Sequence, residues 1–115
     1  MLMFDNVPPI YLCRQFVDFR KSINGLSALV EMQLELPATN GAVFVFCNKN
    51  RDKLKILYWD KIGFALWYKR LERERFKWPT KVDDDKLSLS EQQLHWLLQG
   101  HDVIGHRPVS ITSCC

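Results

Sequence analysis

The chain has 115 residues, a formal net charge of +3, 47% hydrophobic residues and 25% charged residues. This composition is typical of a globular protein and excludes a disordered chain. No stretch approaches the ~20 apolar residues of a membrane span, and the N-terminus does not resemble a secretory signal. We therefore expect one cytoplasmic domain over residues 1–115, with a core at about 9–104 and a loosely ordered tail at 105–115.

Cysteines and carboxylates give no indication of a metal or cofactor. Cys13 and Cys47 stand alone in apolar segments and are predicted to be buried thiols, while Cys114 and Cys115 end the chain, so no Cys-x-x-Cys spacing exists. The adjacent carboxylates of 83–85 lie in a polar link, where such groups usually stay solvated. We expect no metal and no cofactor.

The first predicted elements are a strand and an amphipathic helix. Ile10–Cys13 follows two prolines and has the composition of a short strand. Asp18 is suited to cap a helix that begins at Phe19. Apolar residues then recur at spacings of three and four on one helical stripe, which contains Phe19, Ile23, Leu26, Val30 and Leu34.

The middle of the chain predicts three strands. Residues 42–47, 53–59 and 64–69 are rich in β-branched and aromatic side chains, and short polar turns separate them. Gly63 is available for a positive φ in the second turn. Short loops between consecutive strands favour an antiparallel meander.

A second, shorter helix is predicted near the C-terminus. Ser90 and Gln93 have capping-box spacing, and Gly100 is suited to end the helix. The predicted fold class is therefore α+β, with a small antiparallel β-sheet (meander) packed against one long and one short α-helix.

Side-chain alternation divides the hairpin of 53–69 into two predicted faces. The first is apolar and is expected to face the long helix; it comprises Leu54, Ile56, Tyr58, Phe64, Leu66 and Tyr68. The second combines cations with two indoles; it comprises Lys53, Lys55, Leu57, Trp59, Ala65, Trp67 and Lys69. If exposed, it has the chemistry of a nucleic-acid platform. We favour the alternative in which the C-terminal part covers both indoles, because large aromatic side chains are mostly buried.

Positive charge is concentrated in the middle third of the chain. Residues 47–81 contain eleven basic and four acidic residues, so the rest of the chain is net negative. Such a region attracts polyanions, although a solvated Lys-rich surface gives the same pattern. Within it, residues 70–75 alternate in charge. We expect Leu71, Phe76 and Trp78 to anchor this ribbon while its arginines point outwards.

No pattern in the sequence predicts catalysis. Motifs for a Ser or Cys nucleophile and a Gly-rich phosphate loop are absent. A metal-dependent recombinase needs several converging carboxylates. Asp18, Asp60 and Asp102 have simpler roles as helix-cap, turn and loop residues, so we expect that the protein is not an enzyme.

Two runs of the chain, Phe44–Glu72 and Phe76–Pro79, closely resemble the TnpB (second reading frame) accessory protein of the insertion-sequence sixty-six family of bacterial transposable elements. The most specific part is Lys69–Glu72 with the Phe-x-Trp-Pro segment. Further segments match in order: Asp18–Lys21 with Gly25–Leu26, and Leu87–Leu94 with Leu97–Gly100. The resemblance covers roughly residues 4–104.

This resemblance implies a role in transposition beside separate element-encoded proteins, including a larger transposase, and carries over no catalytic residue. The leading hypothesis is non-catalytic DNA binding at the element ends through phosphate contacts. The alternative is a protein–protein adaptor that docks the transposase without binding DNA itself. The residues predicted to bind nucleic acid or a partner are Lys53, Lys55, Trp59, Trp67, Lys69, Arg70, Arg73, Arg75 and Lys77.

Overall fold

The computed structural model describes residues 8–79 and 86–101. Five strands and two helices follow one another as β1 (Ile10–Cys13), α1 (Ile23–Gln33), β2 (Val43–Cys47), β3 (Lys53–Asp60), β4 (Gly63–Arg70), β5 (Lys86–Leu89) and α2 (Glu91–Leu98). The α+β class is confirmed. The predicted tail at 105–115, Cys114, Cys115 and the acidic link at 83–85 lie outside the described residues.

The strands form a mixed sheet in the order β4-β3-β2-β1-β5. The predicted antiparallel meander is confirmed for β2, β3 and β4. A wholly antiparallel sheet is wrong, because β1 pairs in parallel with β2 and antiparallel with β5. The segment containing α1 separates β1 from β2, and such a long crossover is what parallel pairing requires.

Both faces of the sheet are covered, and β2 at its centre is buried along its whole length. Alternate residues of β2 therefore belong to two different cores. The core on the α1 side contains Leu26, Val30, Phe44, Phe46 and Leu57. The core on the α2 side contains Val43, Val45, Ile56, Phe76, Trp78, Leu94 and Leu97.

Helix α1 begins at Ile23, four residues later than predicted. Asp18 does not cap it; its carboxylate accepts hydrogen bonds from the backbone N–H of Arg20 at 2.9 Å and from the Arg20 guanidinium. A turn closed by the Lys21 N–H and the Asp18 carbonyl, 3.0 Å apart, precedes the helix. The Asp18 carboxylate therefore stabilises a turn at the place where the sequence pattern predicted the start of the helix.

The predicted face assignment of the β3–β4 hairpin is wrong. A two-residue loop joins the strands, and Asp60 pairs with Gly63. In this register, even-numbered residues of β3 lie opposite odd-numbered residues of β4, and residues that lie opposite each other share a face of the sheet. Leu54, Ile56 and Tyr58 consequently lie on the α2 side, whereas Phe64, Leu66 and Tyr68 lie on the α1 side as predicted. The positive φ of the loop, 57°, belongs to Lys61 and not to Gly63.

The capping chemistry predicted for α2 is confirmed. The Ser90 hydroxyl accepts a hydrogen bond from the Gln93 N–H at 3.1 Å, and the Gln93 side chain accepts one from the Ser90 N–H at 2.8 Å. Gly100 follows the helix with a φ of 89°. Within residues 8–79 and 86–101, neither helix has the length and apolarity needed to span a bilayer.

Candidate nucleic-acid interface

The hairpin places the residues predicted to bind DNA on opposite sides of the sheet. The α1 side carries Lys53, Lys55, Trp59 and Arg70, and the α2 side carries Trp67 and Lys69. Arg73, Arg75 and Lys77 follow β4 and are exposed. The expectation that the hairpin cations and indoles share one face is therefore wrong, for the register reason given above.

Two of the predicted binding lysines make intramolecular contacts with backbone carbonyls. Lys55 donates to the carbonyls of Phe19 and Lys21, both at 3.1 Å, and its Nζ lies 4.9 Å from the centroid of the Phe19 ring. Lys69 donates at 2.9 Å to the carbonyl of Leu98 at the end of α2, where the helix dipole favours a cation. Their ammonium groups thus fix the segments packed on the sheet.

The two predicted indoles are partly buried in different surroundings. Trp67 packs against the core that contains α2, as the favoured covered alternative requires. Trp59 lies on the other side and makes an edge contact with Phe64, with the ring centroids 5.0 Å apart. Helix α2 therefore covers the face of the sheet that carries Trp67 and not the face that carries Trp59.

A cleft of about 1010 Å³ opens where the segment after β1 meets the β2–β3 turn. We call it the α1-side cleft; residues 14–20, residues 48–50, Lys53 and Tyr68 line it. Of the predicted binding residues, only Lys53 lies in its lining. The sequence analysis missed the rest, because all of them except Tyr68 of β4 belong to a loop and a turn that are distant from one another in the chain.

Backbone and side-chain contacts shape this cleft. The Val17 N–H donates to the Cys47 carbonyl at 2.9 Å, which attaches the 14–20 segment to the end of β2. On the other wall, Asn48 is buried, accepts from the Lys53 N–H at 3.0 Å and donates to Asp52 at 2.7 Å. Both walls are therefore held by groups that are themselves bonded to the sheet.

The α1-side cleft is electropositive. Its lining contains four cationic side chains and one carboxylate, namely Arg14, Arg20, Lys49, Lys53 and Asp18. The bonds from Arg20 lower the pKa of Asp18 to about 2, so this carboxylate is charged at neutral pH and offsets part of the arginine charge. Across the strand pair from Lys53, Arg70 contacts Glu72 at 2.9 Å.

Two aromatic rings open onto the same cleft. Phe16 is 37% exposed and Tyr68 is 48% exposed, whereas most rings of this size are buried. Sequence reasoning assigned Tyr68 to the face packed on the long helix and did not single out Phe16. The local signal for Phe16 was its position two residues after Arg14 in a segment without periodicity.

A second basic depression lies beyond β4. This α2-side cleft has a volume of about 500 Å³ and is lined by Arg51, Glu74, Arg75, Phe76, Lys77 and Gly100. Phe76 is 1% exposed, and Trp78 donates to the Cys13 carbonyl at 3.0 Å. The predicted anchoring of this ribbon by Phe76 and Trp78, with its arginines outside, is confirmed. No ring is open to a ligand among the residues that line it.

The described residues offer little for metal chemistry. Within residues 8–79 and 86–101, no three His, Cys, Asp or Glu side chains gather to hold an ion. Cys13 and Cys47 are buried, as predicted. Burial raises the pKa of the Cys47 thiol to about 12, so it stays protonated at neutral pH.

Comparison with known proteins identifies the family. Residues 8–107 match the family model described as IS66 Orf2 like protein. The chain belongs to this family. Its members are accessory proteins of transposition, which confirms the resemblance found in the sequence.

Two relatives of this IS66 Orf2-like protein are uncharacterised proteins of Sinorhizobium fredii. One, y4jC, is 40% identical over 93 residues, covering 81% of this chain and 79% of the relative. The other, y4hO, is 32% identical over 93 residues, covering 81% and 80% respectively. No solved structure matches the chain. The family match includes the linings of both clefts.

Proposed function

We propose that this IS66 Orf2-like protein acts non-catalytically in transposition by binding DNA at the ends of the element, and that the α1-side cleft is its principal contact. The observation that carries the proposal is the grouping of Lys49 and Lys53 with Arg14 and Arg20 around one concave surface. Cations on such a surface attract phosphates and release the counterions that surround them.

The predicted binding residues have different roles in this arrangement. Lys53 stays a direct phosphate contact, with Arg70 as its neighbour across the strands. Lys55 supports the cleft by holding the carbonyls of Phe19 and Lys21. The exposed cations Arg73, Arg75 and Lys77 extend the basic surface on the α2 side. Contacts of this kind position DNA without reading its sequence, so sequence choice falls to other proteins of the complex.

The test is a fluorescence anisotropy titration of labelled element-end duplex at increasing salt. We expect affinity to fall steeply between low and moderate salt, and the double variant Lys49→Glu, Lys53→Glu to weaken binding and flatten this salt dependence. Lys61→Glu is the distant control: it reverses one lysine, half the charge change of the double variant, at the other end of β3, roughly 26 Å from Lys53. Absence of binding at low salt, or an equal loss in the control, would contradict the proposal.

One observation favours the adaptor alternative. Ile62 is 94% exposed at the tip of the β3–β4 hairpin, next to the partly buried pair Trp59 and Phe64. An apolar tip flanked by an indole suits a protein contact. A pull-down with the transposase after nuclease treatment separates the two functions. Transposase that is retained without DNA, and lost with the Ile62→Asp variant, supports the adaptor. Transposase that no longer co-purifies once the DNA is digested counts against it.

A further inference from the structure

We propose that the α1-side cleft takes an unpaired DNA strand, with bases stacked on Tyr68 and Phe16 and phosphates on Lys49 and Lys53. This inference rests on the proposed function, since it names the form of DNA that the same cleft binds. It comes from the combination of cations and open rings, which the α2-side cleft lacks.

The Tyr68 ring is held in place from within the protein. It lies against Phe19 with the centroids 6.4 Å apart, and Phe19 is itself covered by the ammonium group of Lys55 at 4.9 Å. Nearly half of the Tyr68 surface nevertheless remains open, at 48%. A ring supported on one side and open on another loses little conformational freedom when a base stacks on it.

Cations stand beside this ring on the same face of the sheet. Tyr68 pairs directly with Lys55, and Lys53 is two pairs further along the strands, opposite Arg70 and on the same face. Lys53 is therefore a diagonal neighbour of Tyr68, at a Cα separation of about 7 Å. Phe16 and Lys49 also line the cleft, so one stretch of a DNA strand would meet rings and ammonium groups together.

The chemistry of the cleft favours an unpaired strand over a duplex. In a duplex, neighbouring bases cover each other's faces, so a protein meets only phosphates and groove edges. Open rings in a concave site would add nothing to such a contact. An unpaired strand presents both phosphates and base faces, and stacking on aromatic side chains is the usual means of binding it. The volume of about 1010 Å³ suits a few nucleotides.

The experiment compares three labelled probes at one salt concentration: oligothymidine, an abasic oligonucleotide of equal length, and a duplex. The first two probes carry the same phosphates, so the difference between their affinities measures the contribution of the bases. We expect oligothymidine to bind most tightly. Tyr68→Leu should weaken oligothymidine binding roughly 5- to 150-fold while leaving abasic binding unchanged, because it removes the ring but keeps an apolar side chain. Tyr68→Phe keeps the ring and should retain the preference.

Phe16→Leu and Phe16→Tyr form a second pair in the 14–20 segment, and thermal unfolding checks that every variant folds. Equal binding of oligothymidine and abasic probe, unchanged in both leucine variants, would overturn the stacking inference while leaving DNA binding by the cations intact. Displacement of oligothymidine by polyglutamate at equal charge concentration would also overturn it, since the site would then suit acidic protein. Loss of all three probes even at low salt would remove the proposed function itself.

Discussion

The α1-side and α2-side clefts are both lined by cations, yet they offer different chemistry to a ligand. In the first, Phe16 and Tyr68 remain open between the cations. In the second, Phe76 is buried and Glu74 lies among Arg51, Arg75 and Lys77. Positive charge alone attracts any polyanion, whereas an open ring beside it distinguishes a base from a bare phosphate chain. Open rings beside the cations therefore distinguish the α1-side cleft from the α2-side cleft, whose cations stand without an open ring among its lining residues.

The largest expected effect comes from reversing charge in one cleft at a time. Lys49→Glu with Lys53→Glu should weaken oligothymidine binding about tenfold or more, because these cations stand beside the rings. Arg75→Glu with Lys77→Glu makes the same charge change in the α2-side cleft and should weaken oligothymidine binding only about twofold. Anisotropy at fixed salt measures both. Equal losses would show that the two clefts are not distinct in function.

An intermediate effect is expected from Lys55, which bonds to the segment that lines the α1-side cleft. Lys55→Met removes two hydrogen bonds to carbonyls and the contact with the Phe19 ring, so the free energy of unfolding should fall by about 1–2 kcal/mol. Urea denaturation measures this change. The exposed Lys61 is the control, and Lys61→Met should change the free energy by less than about 0.5 kcal/mol. An unaltered midpoint in Lys55→Met would contradict the supporting role.

The smallest effect concerns the one carboxylate of the α1-side cleft. Asp18→Asn removes a negative charge and releases the Arg20 guanidinium, so DNA binding should strengthen about two- to threefold at low salt. Asp60→Asn at the hairpin tip is the matched control and should have no effect. Since the pKa of Asp18 is lowered to about 2, its carboxylate stays charged above that value. Titration of Asp18 should therefore contribute no pH dependence to wild-type binding between pH 5 and 8. Weaker binding by Asp18→Asn would contradict this assignment.

Much of the architecture could be predicted from local patterns. β1 to β4, the capping box of α2 and the buried anchors Phe76 and Trp78 all follow from composition and spacing. The face assignment failed although its determinant was present in the sequence. With a two-residue loop between Asp60 and Gly63, even-numbered residues of β3 lie opposite odd-numbered residues of β4 and share a face with them. The faces therefore follow from this register, and alternation within each strand taken alone does not determine them.

The candidate site was less predictable, because its determinants are contacts between distant residues. The ammonium group of Lys55 bonds to a carbonyl 36 residues earlier, and that of Lys69 to one 29 residues later. Neither contact has a local signature, so both lysines were predicted as ligands of phosphate. Phe16 lies in a segment without periodicity, and the attachment of Val17 to the end of β2 brings that segment into the cleft that Lys49 also lines.

The central claim is that bases lie on the rings of the α1-side cleft. Photocrosslinking with an oligonucleotide containing iodouracil, followed by mass spectrometry of the crosslinked peptides, tests it most directly. We predict crosslinks at Tyr68 and Phe16 that an excess of oligothymidine suppresses and an excess of abasic oligonucleotide does not. Crosslinks confined to residues 73–77 or to the hairpin tip at Ile62 would contradict the claim.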